Sequence, residues 1–402
     1  MKSYTDGLTG LNNMAFLYDY YEEYLKQNEN NCYLIAIDFA KLKYINDNFG
    51  HAIGDLCLKT FANLIQKYFV KSLLIRRSGD EFVIMTSKST TEIEELISKI
   101  NNDIAKLHDT NSIPVLFQFN CGIKICEASI EESLYKADIT MYDAKDNGFY
   151  YSYYNDEIYS KAKDNEDFIA NIDRIIKEES YNYDCHNLYN KNNDKTNLRM
   201  ITVTDKNSKR LYNQAQYELI KNSSRIKRID LFNIKSILEI LREENDSNTI
   251  SFIPVDYKTI IAVEYDFIEM FKNYLIENNI NVKNICLNIN FMSTSEDIKK
   301  VDVKIKELKE LGIKICIDNF DPYKNTYIYN IMRVFDVDYI KFYPNSISNF
   351  NENPREKLIL FNIIDTFVSL GTTPIFHGIN DKELIKEIKD ICFNCLVTNA
   401  RL

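Results

Sequence analysis

The order of apolar and polar positions divides the chain into two patterned regions separated by a polar stretch. Over residues 1–150, short β-rich runs alternate with helical spacing, as in an α/β or α+β layered structure. Cys32-Tyr-Leu-Ile-Ala-Ile-Asp38 is a continuous apolar run that stops on a polar residue, which predicts a buried strand. Leu58, Phe61, Ala62, Ile65 and Phe69 recur at helical spacing and predict a helix with one face on a core. Residues 73–77 and 82–86 predict two strands, joined as a hairpin by Ser78-Gly-Asp-Glu81. Tyr, Asn, Asp and Lys then dominate residues 150–197, with few aliphatics outside 168–176, so this stretch is expected to be a linker holding one connecting helix. Beyond it, strand-like runs at 199–203, 250–255, 285–289, 313–317 and 339–342 alternate with helical runs at 229–241 and 267–277, the rhythm of parallel βα units.

Composition narrows the class. A 402-residue chain that is 45% hydrophobic suits two globular domains. A formal charge of −10 argues against broad nucleic-acid binding, which needs clustered cations, yet permits a nucleotide presented on a divalent ion. No apolar run approaches the ~20 residues that cross a bilayer. No signal peptide is visible and nothing N-terminal to Asp6 could hold a sensor, so input is expected through the linker, the second domain or a partner. Nine scattered cysteines read as reduced thiols in a cytoplasm, and the lone Cys392-Phe-Asn-Cys395 lacks the second pair that structural zinc needs.

The candidate chemistry lies at two predicted strand ends. Asp38 closes the first strand, and Asp80 with Glu81 sits at the hairpin tip; if those elements are neighbours, their carboxylates converge on one sheet edge. Hard cations such as Mg²⁺ or Mn²⁺ take oxygen ligands and leave positions for phosphate, so this set could hold a metal-bound triphosphate. Gly79 provides the freedom that a tight turn beside a phosphate requires.

Five motifs in order then carry a resemblance: Asp6-Gly-Leu-Thr-Gly-Leu-Asn12; Asp38 with Lys43, Asn46-Asp47, Gly50-His51 and Gly54-Asp55; Ser78-Gly-Asp-Glu-Phe82; Asn120-Cys-Gly-Ile123; and Ala137-Asp138 to Lys145. Residues 1–152 thereby resemble a GGDEF-type diguanylate cyclase domain. The resemblance implies an α+β sandwich with a central, mainly antiparallel sheet flanked by helices. It implies that Asp38, the Phe39 backbone carbonyl and Asp80 hold Mg²⁺ or Mn²⁺, with Glu81 and Lys43 as catalytic neighbours. Asn46 and Asp55 match the guanine-reading pair, and Gly79 and Lys145 match phosphate-side positions. His51 is expected to be a packed structural residue. Such domains bind one GTP each and join two GTP into cyclic di-GMP, so a homodimer is implied. Five positions depart from the pattern: Ser78 replaces the first motif glycine, Ala40 a second Asp, Leu42 the Phe before Lys43, Phe149 an Arg that follows Lys145, and Asn13 the Arg of the entry motif, a change expected to touch packing more than chemistry.

Residues 198–402, after a linker over 153–197, are similar to an EAL-type cyclic di-GMP phosphodiesterase domain through three strands: Gly312 to Asp318-Asn319-Phe320, Val337 to Lys341-Phe-Tyr343, and Leu370-Gly to Phe376-His377-Gly378-Ile379-Asn380. A (β/α) barrel, shortened near its start, is implied, so the whole chain is read as α/β. Its ligand positions have lost their carboxylates. Gln214 is taken as the motif glutamate, an apolar or Pro position near Ile253 as the second-strand Asn, and Asn288, Asn319, Tyr343 and His377 replace acids, leaving Asp318 and Lys341. The expectation is a diguanylate cyclase with a non-catalytic EAL-like partner that can bind cyclic di-GMP or GTP. The alternative is a weak or inactive nucleotide-binding regulator.

Overall fold

The computed structural model describes residues 4–28, 31–221, 223, 225–291, 295–321, 333–342, 353–378, 382–392 and 395–398. Two compact units divide the chain, Met1–Asp167 and Phe168–Leu402.

In the first unit, β1 (Tyr33–Ala40), β2 (Leu73–Ser78), β3 (Glu81–Thr86), β4 (Gln118–Ile125) and β5 (Tyr151–Tyr153) form one sheet in the order β2-β3-β1-β4-β5. The central strand β1 runs antiparallel to β3 and β4, and β5 adds in parallel to β4. Both faces of β1 are buried, which is why its sequence is apolar without alternation. Ile35, Ile37 and Phe39 join the core under α3 (His51–Tyr68) and α4 (Thr90–Asp109); Leu34 and Ala36 join the core under α1 (Met14–Gln27) and α5 (Ile130–Asp146). Asn13 caps α1, its side chain accepting from the Phe16 N–H, so its place is structural. Where α5 crosses β4 the two backbones nearly touch. A Cβ on Gly122 would lie 2.1 Å from the Ala137 carbonyl oxygen, so only glycine fits there.

The second unit is a closed eight-stranded barrel in the order β10-β11-β12-β13-β6-β7-β8-β9. Its strands are β6 (Asn182–Tyr189), β7 (Lys195–Thr204), β8 (Ile250–Asp256), β9 (Ile285–Asn290), β10 (Lys314–Phe320), β11 (Tyr339–Phe342), β12 (Thr373–Phe376) and β13 (Leu396–Val397). Neighbours from β7 round to β13 pair in parallel, whereas β6 is antiparallel to both β7 and β13. The stretch 153–197 is thus more than a linker with one helix. It holds α6 (Asp156–Glu178), whose Phe168, Ile172 and Ile175 enter the second core, and then β6, so the barrel begins ahead of residue 198 and closes with eight strands. Half of β6 faces solvent, and its mixed Asn-Tyr-Asp-Cys-His-Asn sequence carries no apolar run to announce a strand.

Alternation sorts the barrel residues. Leu188, Leu198, Met200, Phe252, Cys286, Cys316, Tyr339, Ile375 and Leu396 fill the interior, one cluster with a member from each of the eight strands. Residues of opposite parity, such as Ile253, Leu287 and Ile340, pack outward beneath α8 (Arg225–Glu244) and the other helices. None of the nine cysteines forms a disulfide, and eight of them are buried. No helix among the described residues is long and apolar enough to cross a membrane.

Candidate functional site

At the first unit's candidate site, Asp38 lies near the end of β1, only 9% exposed. It stands opposite Glu81 in the register, and the Phe39 N–H donates to the Asp80 carbonyl at 2.8 Å, so the strand end and the hairpin tip share one edge. The Lys145 ammonium, from the last turn of α5, donates to Asp38 at 2.6 Å. No partner meets the Asp80 carboxylate among the described residues. The tip is held from below by two arginines. Arg77 pairs with Asp138 at 2.9 Å and lies 3.7 Å from Glu81; Arg76 donates to the Gly79 carbonyl at 2.7 Å and to Asp6 at 3.1 Å. Gly79 has φ +49° with open space where a Cβ would stand, as a turn facing a ligand requires.

Lys43 is exposed in the first turn of α2 (Leu42–Phe49), which follows β1 directly. A Cβ on Gly54 would lie 2.0 Å from Asn46 Oδ1, so the missing side chain is what seats Asn46 beside the residue preceding Asp55. Asp55 is exposed on α3. His51 is also exposed, not packed as expected, because it opens α3 at the turn after Gly50. Tyr142, one turn before Lys145, is a neighbour that the motifs did not flag: burial, with the carboxylates of Glu81, Asp138 and Asp38, holds its phenol above the usual range. Among the described residues no group of three or more His, Cys, Asp or Glu could hold a metal ion. Two carboxylates and the Phe39 carbonyl form an all-oxygen set that suits a hard cation drawing its remaining ligands from phosphate and water.

In the barrel, the positions two residues beyond the apolar interior layer form a polar ring: Thr202, Pro254, Asn288, Asp318, Lys341, His377 and Thr398, with His186 supplied by antiparallel β6. Most of them line a cavity of about 370 Å³, together with Arg210, Tyr212, Tyr217, Asp230, Asn233, Asp256 and Asn290. Asp318, the ring's carboxylate, is enclosed. It accepts from the Lys341 ammonium at 2.6 Å, Asn288 Nδ2 at 2.5 Å and the Asn319 N–H at 2.6 Å. These donors occupy the lone pairs that metal ions would need, and the ring does not fit a two-cation site. Burial and then the nearby Lys341, His186 and Arg210 pull the His377 imidazole down to about 3, and its Nδ1 pairs with Thr398 Oγ1 at 3.0 Å.

The comparisons with known proteins agree with both halves. Residues 3–150 match the family described as diguanylate cyclase, GGDEF domain, and residues 197–396 match the EAL domain. The chain is a GGDEF domain followed by an EAL domain. Cyclic di-GMP phosphodiesterase PdeB of Shewanella oneidensis is 22% identical over 433 residues, covering 97% of this chain and 46% of that protein. Cyclic di-GMP phosphodiesterase PdeA of Borreliella burgdorferi is 22% identical, covering 89% and 54%. Diguanylate cyclase DgcS of Shewanella oneidensis is 31% identical over 163 residues, 37% of this chain and 51% of that protein. The chain spans about half the length of these curated relatives. Among solved structures, the S helix-GGDEF-EAL portion of Vibrio cholerae LapD bound to c-di-GMP has a TM-score of 0.52 at 16% identity, covering 98% of this chain and 95% of that one, which shows a shared fold.

The EAL barrel also places the expected ligand positions. Pro254 fills the ring position on β8, as the sequence pattern near Ile253 suggested, and Asn288, Asp318, Lys341 and His377 stand together. Gln214 opens the short helix α7 (Gln214–Ile220), and the ring position on β7 is Thr202. Asn319 turns away from strand geometry at φ +51°, and Tyr343, Ile379 and Asn380 lie outside the described residues.

Proposed function

We propose that the GGDEF domain is a diguanylate cyclase that condenses two GTP molecules into cyclic di-GMP and two pyrophosphates, working as a homodimer, and that the EAL domain binds a nucleotide without hydrolysing it. The observation that carries the reading is the unmet Asp80 carboxylate, set beside Asp38 by the Phe39–Asp80 backbone hydrogen bond. Asp38, Asp80 and the Phe39 carbonyl would hold Mg²⁺ or Mn²⁺, which when bound draws charge from the α-phosphate and acidifies the attacking 3′-hydroxyl. Asn46 and Asp55 receive the guanine edge, an Asp accepting from its N–H groups. Lys145 pairs with Asp38 and would turn to the triphosphate when it binds, with Lys43 at the start of α2 as a second cation. The open, positive-φ turn at Gly79 brings backbone close to phosphate oxygens. Each of two condensations forms a 3′-O–P bond and breaks the bond to pyrophosphate, and Glu81 at the tip is positioned to take the hydroxyl proton.

The test is the nucleotide formed by the full chain with GTP and Mg²⁺ or Mn²⁺. Asp80→Ala should lower cyclic di-GMP formation on the order of 100-fold or more without altering thermal unfolding; undiminished product would refute the site. Ala40 and Phe149 support a second reading, since each removes a charged group from the family pattern. GTP binding by the wild type with no product would select that reading, a nucleotide-binding regulator.

A further inference from the structure

The barrel cavity has two unlike sides. Following the strand order from β11 through β12, β13, β6 and β7, the inward groups are Lys341, His377, Thr398, His186 and, from the segment after β7, Arg210. Arg210 is exposed and has no ion-pair partner among the described residues. The opposite arc, β8, β9 and helix α8, presents Asp256, Asn288, Asn290 and Asn233.

Three acceptors on that arc are unused. The side-chain oxygens of Asn233, Asn288 and Asn290 are buried without a hydrogen-bond partner, and Asn233 and Asn288 as whole residues are only 4% and 5% exposed. The orientation of Asn288 is fixed by its nitrogen: Nδ2 donates to Asp318, so this amide cannot turn its oxygen away without losing a bond. The nearby carboxylates are already engaged: Tyr217 donates to Asp256, and Thr259 and the Asp256 N–H donate to Asp230. Burying an unmet acceptor costs about 1–3 kcal/mol, and three in one cavity call for a ligand with clustered N–H donors.

We propose that this cavity binds a single guanine nucleotide, its N1–H and N2–H₂ edge on Asn233, Asn288 and Asn290 and its phosphate toward Arg210. This rests on the reading of the EAL domain as a non-hydrolysing binding unit, and it specifies the ligand. Guanine presents three N–H hydrogens along one edge, whereas adenine places a ring acceptor against the asparagine oxygens. A two-fold symmetric cyclic dinucleotide offers the same groups at both ends, whereas the described lining is cationic on one arc and amide-rich on the other. Its volume of about 370 Å³ lies at the small end for ligand pockets. Tyr212, walled in among Asp230, Asp256 and Asp318, adds an aromatic surface beside the acceptors.

The test is calorimetric titration of the full chain with GMP, AMP and cyclic di-GMP. GMP should bind saturably and AMP should not. Titrated in an Asp55→Ala background, which removes the guanine contact proposed for the GGDEF domain, Arg210→Ala and Asn233→Leu should each weaken GMP by on the order of tenfold or more. No GMP binding in that background, equal AMP binding, or tighter cyclic di-GMP binding lost in the same variants would overturn the proposal. None of these outcomes depends on whether the GGDEF domain turns over GTP.

Discussion

Asp230 illustrates how one buried carboxyl can set a pH response. Burial pushes it up to about 8 from an ordinary 3.8; hydrogen bonds from Thr259 and the Asp256 N–H oppose that, and the Asp256 charge adds to it. The folded state therefore keeps a proton that the unfolded chain releases near 3.8, and stability must fall as pH rises between about 4 and about 8, then level off. Denaturant unfolding across that window should show the decline, and Asp230→Asn, which cannot ionise, should flatten it. An unaltered slope in the variant would assign the pH response elsewhere. At this scale the sequence showed carboxylates more readily than their surroundings. Asp38 and Asp80 are legible because one ends an apolar run and the other tips a hairpin. Asn233 and Asn290 are not, because an amide oxygen becomes informative only when folding leaves it buried and unmet.

Among elements, the helix–strand crossing at Gly122 makes a sharp demand. Adding one methyl there would press on the Ala137 carbonyl at 2.1 Å and the Met141 nitrogen at 2.2 Å, both backbone atoms of α5 that cannot rotate aside. Gly122→Ala should destabilise the GGDEF domain by at least about 1–3 kcal/mol, the usual cost of overpacking. Thermal unfolding of the variant gives the measurement, and an unchanged midpoint would mean that α5 can lift. Since α5 carries Lys145, the proposed cyclase activity should fall together with stability. The apolar strands and the hairpin of this domain were readable because both faces are buried or the turn is short. Strand β6 was not, since its half-polar pattern gains its meaning from pairing with β7 and β13.

For the whole molecule, the two domains differ in how they hold their acidic residues. Among the described residues the GGDEF domain leaves the Asp80 carboxylate unmet, whereas the EAL domain surrounds Asp318 with an ammonium and two N–H donors. Cyclic di-GMP incubated with the full chain and Mg²⁺ or Mn²⁺ should therefore persist, with no linear dinucleotide detected by chromatography. Metal-dependent appearance of that product, lost in Asp318→Ala, would show that the enclosure opens. The order of domains and the loss of carboxylates were evident in the sequence. The ring that defines the barrel site was only partly so, because Thr202 and His186 take their places through strand alternation and the reversed direction of β6.

The guanidinium of Arg76 has a wider reach than its position suggests. It holds the Gly79 carbonyl and the Asp6 carboxylate together, while Asp6 also accepts from the Thr9 N–H and hydroxyl. The first motif of the chain and the hairpin motif are thereby clamped into one mechanical part, and the turn takes its shape from its own side chains. A change at Asp6 would loosen that turn although Asp6 is no part of the proposed metal and nucleotide contacts. In a screen scored only by product, it would pass for a lost catalytic residue; measured as a rise in backbone mobility at residues 78–81, it would be recognised as a broken hinge pin.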